Sequence, residues 1–411
     1  MTQTAAANPP ANPLALTFIL LTVCLDAIGI GLIFPVMPDL MVEVTGLSLS
    51  EAALWGGAIT ASFAIMQFLF GPVVGNLSDR FGRRPVLLIS MTVMALDYAI
   101  MGLAASVWVL LVARAVSGIT AATHSTANAF IADISTPDQR AKRFGLIGAA
   151  FGVGFVLGPI AGGLLAGIDS RAPFWAAAAL AGANAVFGFF VLPETLAPQN
   201  RRPFRWSRAN PLSSFAAIRR LPTLGPLLVV AFIYALTFTV YPAVWSYYGK
   251  AAFGWSAGWI GISLAIYGIS LALVQSLLVA PSIRMFGEKR VFIIGMCIEV
   301  GAFIFLGLTT SGLLTLLMTP ITALGGIAGP ALQSLQSRRA PADQQGELQG
   351  VLTSLNALTM ILGPLMMTWI FGLFTAPGGI FLPGAPFLFA AVLMVAAVIV
   401  FVATLREKAP Q

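Results

Sequence analysis

Twelve times along its 411 residues, this chain runs through stretches of mostly apolar residues set off by arginine, glycine and proline. A helix rises 1.5 Å per residue, so about twenty such residues cross a hydrocarbon core about 30 Å thick. The stretches lie near 14–37, 51–75, 86–104, 107–134, 143–166, 172–192, 223–249, 256–280, 290–308, 311–336, 346–374 and 381–405. Only 9% of the residues are charged, against ~25% in soluble domains, too few to cover a water-facing surface. That excludes a soluble enzyme, a disordered chain and a disulfide-rich scaffold. The fold class expected is an all-α polytopic membrane protein with twelve transmembrane helices.

The placement of the cations gives an orientation. Nineteen of the 22 Lys and Arg residues fall in the even-to-odd connections and at the C-terminus. The opposite side holds Arg171 and Lys250, and Arg114 lies inside a span. By the positive-inside rule both termini and the long central loop are cytoplasmic, in a bacterial-style inner membrane. The same asymmetry accounts for the net charge of +7 without nucleic acid. The first apolar run lacks a basic leader and is long for a signal-peptide core, so it reads as a membrane helix. Cys24 and Cys297 lie in apolar runs and make an unpromising disulfide. None of Lys142, Lys250, Lys289 and Lys408 precedes Ser or Thr, so no Walker-type ATPase motor is expected, and no cofactor is implied.

The loop 193–222 carries Arg201, Arg202, Arg205, Arg208, Arg219 and Arg220 among five prolines. It reads as a solvated linker touching anionic headgroups, between an N-terminal half (1–192) and a C-terminal half (223–411). An internal repeat supports the division. Phe81-Gly82 recurs as Phe286-Gly287, Asp138-Gln139 as Asp343-Gln344, and Leu157-Gly158-Pro159 as Leu362-Gly363-Pro364, all at an offset of 205. Two parallel six-helix repeats around a midplane site resemble the architecture of major facilitator transporters.

Local motifs carry the same likeness. GNLSDRFGRRP (75–85) resembles the major facilitator signature between the second and third helices, and Arg114 with Gly118 has the spacing of its buried-arginine motif. GFVLGPIAGG (154–163), with Gly154, Gly158, Pro159 and Gly162, resembles the antiporter motif of drug exporters. LDAIGIGLIFPVMPDL, LDYAIM, GITAAT, IADI and QGELQG are similar to the tetracycline/proton antiporter branch. Glu299 stands where that branch usually has aspartate, and His124 where it has a small residue. The resemblance implies a proton-coupled exporter of an amphipathic drug, free or as a metal chelate, working as a monomer in the bilayer. It also implies a gate in which Gly75, Asp79, Arg80, Gly82, Arg83 and Asp133, together with the dipole of the eleventh helix, close the cytoplasmic side. Another drug or metabolite exporter, an uncoupled facilitator and a non-transporting sensor are the alternatives.

Charge at membrane depth costs ~2.5–3.5 kcal/mol on insertion scales, so Asp26, Asp97, Arg114 and Glu299 each need a partner or a cavity. Desolvated carboxyls can exchange protons, whereas an ion pair fixing helix packing is the structural alternative. Arg114 stays charged, so it can hold a nearby acid ionised and be released when drug or proton binds, with a static counter-ion role as the structural alternative. Ser117, Thr120, His124 and Asn128 form an expected continuous polar stripe on the fourth helix, which makes His124 a further proton candidate. Gln67, Asn128, Tyr234, Tyr241, Tyr267, Gln275 and Asn356 are candidate drug contacts in an otherwise apolar cavity.

Overall fold

The computed structural model describes residues 13–121, 123–206, 209–211, 218, 224–341 and 344–406. Arg208, Arg219, Arg220 and Asp343, and the side chains of His124 and Asp138, lie outside the described residues. Twelve helices are long and apolar enough to cross a membrane: α1 Ala15–Thr45, α2 Leu49–Phe81, α3 Arg83–Leu103, α4 Val107–Ile134, α5 Lys142–Ala166, α6 Ala172–Val191, α7 Gly225–Phe253, α8 Ala257–Phe286, α9 Glu288–Leu308, α10 Gly312–Arg339, α11 Gln345–Leu373 and α12 Ala385–Thr404. Among the described residues there is no strand. The expected helices are all present, and α1, α2 and α8 run well past their apolar stretches into the polar zone.

Local chemistry fixes the helix ends. Ser48 and Glu51 form a reciprocal capping box that starts α2. The repeated Phe-Gly pairs stop α2 and α8 in the same way. Gly82 (φ 108°) and Gly287 (φ 74°) both take a backbone conformation open chiefly to glycine, and both donate N–H to the carbonyl four residues back.

Five helices are interrupted in mid-course, where the sequence reading expects continuity. A 3-10 turn at Phe34–Val36 divides α1 at Pro35, and α7 is interrupted at Thr239. A π turn covers Val274–Leu278 in α8, and a 3-10 turn covers Ala323–Ile327 in α10. The regular course of α4 breaks after Thr120 and resumes at Thr123, so the expected stripe from Ser117 to Asn128 is not continuous. A break in a bilayer persists only when other groups satisfy the freed carbonyls. Here Ser90 Oγ donates to the Thr120 carbonyl at 2.6 Å and Gln67 Nε2 to that of Ala121 at 3.3 Å.

Small residues set the closest helix approaches. A Cβ at Gly154, Gly158 or Gly162 would strike the α1 backbone at Cys24, Ile28 or Leu32. These glycines pack α5 on α1 within one half. The seam between halves runs through Gly163 of α5 against Ala257 and Gly258, and through the Pro159 carbonyl against Gly261, both on α8. On the other side α2 meets α11, where Gly57 packs on Pro364 and Thr368.

All of these inter-half contacts lie toward the end opposite the arginine loops. There Ser246 Oγ donates to the Phe34 carbonyl at 2.9 Å and Ser50 Oγ to that of Thr375 at 2.8 Å. At the basic end, Gly71, Gly75, Gly145, Gly148, Gly152 and Gly346 face open space. The two halves touch at one end and stand apart at the other.

Candidate functional site

The carboxyls at membrane depth have three different surroundings. Asp26 of α1 is partly exposed, and the Thr123 hydroxyl lies beside it. Asp97 of α3 is 2% exposed and pairs with Arg114 Nη1 of α4 at 3.3 Å, and neither of its oxygens accepts a hydrogen bond among the described residues. The same guanidinium donates to Met101 Sδ at 3.2 Å and lies over the Phe63 ring at 5.7 Å. Tyr98, beside Asp97 in sequence, is buried against Gly29 of α1, one turn past Asp26. The tyrosine of LDYAIM is not among the residues the sequence reading assigns a role.

Glu299 of α9 is 1% exposed and packs on Gly325 in the 3-10 turn of α10. It makes no ion pair among the described residues, and its Oε2 has no hydrogen-bond partner there. On the same helix Phe292 packs against Tyr234, with ring centroids 6.0 Å apart, and Phe303 against Tyr241 at 5.7 Å. Tyr241 and Tyr267 stack with ring centroids 5.5 Å apart and line a cavity of about 240 Å³. Phe34 and Phe155 enter this cavity from the N-terminal half, and Phe238 and Trp245 from the other. Those four were missed because nothing sets them apart in a chain that is 58% hydrophobic.

The other five candidates do not line that cavity, and Tyr234 packs instead against Phe238 and Phe292. Gln67 is exposed, with its amide on the Ala121 carbonyl. Gln275 in the π turn and Asn356 of α11 are exposed on the basic-end halves of their helices, and Asn128 is partly exposed on α4.

At the basic end, Arg83 bridges Asp79 (2.7 Å) and Asp133 (3.1 Å), as the charge pattern anticipated. Glu194 joins them unannounced. Its carboxylate accepts from the Arg83 and Arg84 backbone N–H groups at 2.9 and 3.3 Å, capping α3 and filling the space beside Gly82. The linker is tied to the same corner, since Asn76 donates to the Arg205 carbonyl and Arg202 N–H to that of Asp79. Arg80 stands apart over the Phe81 ring at 5.0 Å.

The sparse cations of the other end are both paired. Arg171 meets Glu43 at 2.9 Å within the N-terminal half, while Lys250 of α7 meets Asp39 of α1 at 2.7 Å across the halves. Asp39 and Lys250 each follow by five residues a side chain that lines the aromatic cavity, Phe34 and Trp245.

Comparison with known proteins agrees with this architecture. Tetracycline resistance protein class C of Escherichia coli is 45% identical over 357 residues, covering 87% of this chain and 89% of that protein. Tetracycline resistance protein class G of Vibrio anguillarum is 39% identical over 357 residues, covering 86% and 89%. The crystal structure of the human organic anion transporter MFSD10 superposes with a TM-score of 0.70 at 26% identity, covering 96% of this chain and all of that one. The profile of the Major Facilitator Superfamily matches residues 19–249 and 227–411. With twelve membrane-spanning helices and these relatives, the chain is a multi-pass membrane transporter rather than an enzyme, and it belongs to the Major Facilitator Superfamily.

Proposed function

We propose that this protein is a proton-coupled antiporter that exports an amphipathic drug of the tetracycline type, free or as a metal chelate, as a monomer in the inner membrane. Residues 1–192 and 223–411 act as rigid halves joined by the 193–222 linker, and both termini and the linker lie in the cytoplasm. The halves rock about the central cavity, and the basic end is the cytoplasmic mouth. Asp26, Asp97 and Glu299 exchange protons while Arg114 balances the acids of its half, and the Asp79–Arg83–Asp133 cluster supports closure of the cytoplasmic mouth. The observation carrying this reading is the pair of buried carboxyls at membrane depth, Asp97 in one half, whose oxygens accept no hydrogen bond, and Glu299 in the other, whose Oε2 has no partner, among the described residues. Such groups are costly at membrane depth and mark transport pathways where they occur. The relatives named tetracycline resistance proteins supply the substrate class.

The test is tetracycline uptake into inverted vesicles with an imposed proton gradient. Uptake should follow the gradient, and Asp26→Asn should abolish it while leaving a folded protein. Uptake that ignores the gradient would instead identify a facilitator, and none at all a sensor or an exporter of something else.

A further inference from the structure

One face of α3 carries Leu96, Asp97 and Ile100, and one face of α4 carries Val109, Val112 and Val116, each set at the spacing that forms a stripe along a helix. The two stripes, with Trp108, line a groove of about 530 Å³, within the ~300–1,000 Å³ of small-molecule sites. Leu96, Trp108 and Val112 are all more than half exposed, so the groove opens outward on the bilayer, and it shares no residue with the aromatic cavity between the halves. Asp97 is the one lining residue that is charged, and it is buried. Neither of its oxygens accepts a hydrogen bond among the described residues, although Arg114 balances its charge from 3.3 Å. That balance decides what the groove can take. An ammonium would bring a second positive charge into hydrocarbon without a partner, and a carboxylate would repel the acid. A neutral hydrogen-bond donor meets neither penalty and satisfies the open oxygens. Acyl chains lying in the groove carry no donor, and the hydrocarbon holds no water to replace one. Trp108, edge-on to Trp55 with ring centroids 5.2 Å apart, adds an aromatic wall that suits an aromatic guest.

We propose that the groove between α3 and α4 is a binding site for an uncharged phenol dissolved in the bilayer, its hydroxyl donating to Asp97 and its apolar body lying between Trp108 and the valines of α4. Asp97 lies six residues before the end of α3 at Leu103, about 9 Å by helical rise, in the leaflet opposite the arginine loops. The guest arrives from the lipid and passes neither mouth. The site is independent of what the central cavity carries.

The test is photolabelling of the purified full chain in phosphatidylcholine nanodiscs by a diazirine-bearing phenol, with the labelled positions mapped by mass spectrometry. Label should concentrate on the groove faces of α3 and α4. Competing 4-hexylphenol should displace it at a concentration about tenfold or more below that of hexylbenzene, which lacks the donor. Val112→Trp fills the groove from its lipid-facing side and should abolish the label there. Asp97→Val with Arg114→Met removes both charges together, so that neither is left buried alone, and should erase the advantage of the phenol over hexylbenzene. Equal displacement by the two compounds, label spread evenly over the lipid-facing helices, label unchanged in Val112→Trp, or a phenol preference kept in the paired variant overturns the proposal. If the paired variant does not fold, Val112→Trp and the preference of the unaltered chain decide.

Discussion

A single carboxyl is set apart by what surrounds it. Asp97 has Arg114 at 3.3 Å, whereas Glu299 has tyrosines and no cation among the described residues. Glutamate carries one methylene more than aspartate, so its carboxyl reaches ~1 Å further from the helix axis. If Glu299 carries a proton in exchange for drug, Glu299→Asp should retain coupled transport and Glu299→Gln should lose it. Drug-induced proton release from purified protein, measured at several pH values, checks this. Equal release from Glu299→Gln and the unaltered chain would leave Asp26 as the main carrier. The acids themselves were legible in the sequence because a charge in an apolar run stands out. Their surroundings were not. That Asp97 meets Arg114, or that Glu194 caps α3 from 111 residues away, depends on which helix faces meet, and apolar residues on every face hide that.

Among elements, the helix count and the 205-residue repeat were readable because span length and glycine stops are written locally. The mid-helix breaks were not, and that of α4 depends on partners from other helices. The break in α4 is stabilised by Ser90 of α3 and Gln67 of α2. Gln67→Leu should free the Ala121 carbonyl and lower thermal stability by about 0.5–1.5 kcal/mol, the range of an ordinary hydrogen bond. A stability loss with drug affinity unchanged in the folded fraction would mark Gln67 as a support of α4 rather than a drug contact. The small-residue seam gives a paired test. Gly158→Leu must push α5 off the α1 backbone, an overpacking cost of about 1–3 kcal/mol, whereas Gly148→Leu enters open space. Melting of the two variants in detergent should differ accordingly. Equal melting temperatures would mean that α1 yields freely.

At the scale of the molecule, the contacts between halves are unequal at the two ends, and each end should respond to its own charges. Asp79 is tied to Arg83 within its half while Gly75 and Gly346 face open space, so any contact of this corner with α11 forms on closure of the basic end. Asp79→Asn should therefore favour the state seen here, read as higher reactivity of cysteines placed along that mouth. The opposite mouth is held by Asp39 and Lys250, whose side chains are 43% and 20% exposed. A pair that open to solvent contributes at most about 1 kcal/mol, which corresponds to about a fivefold change in population. Lys250→Ala should thus raise the state open at that mouth by up to about fivefold, and the exchanged pair Asp39→Lys with Lys250→Asp should restore the closed end. The measurement is labelling of Thr375→Cys by a membrane-impermeant thiol reagent, in a chain from which Cys24 and Cys297 have been removed. Labelling that is unchanged in Lys250→Ala, or that rises equally in the exchanged pair, would show that Ser50, Ser246 and the Gly57–Thr368 packing hold this end without help from charge.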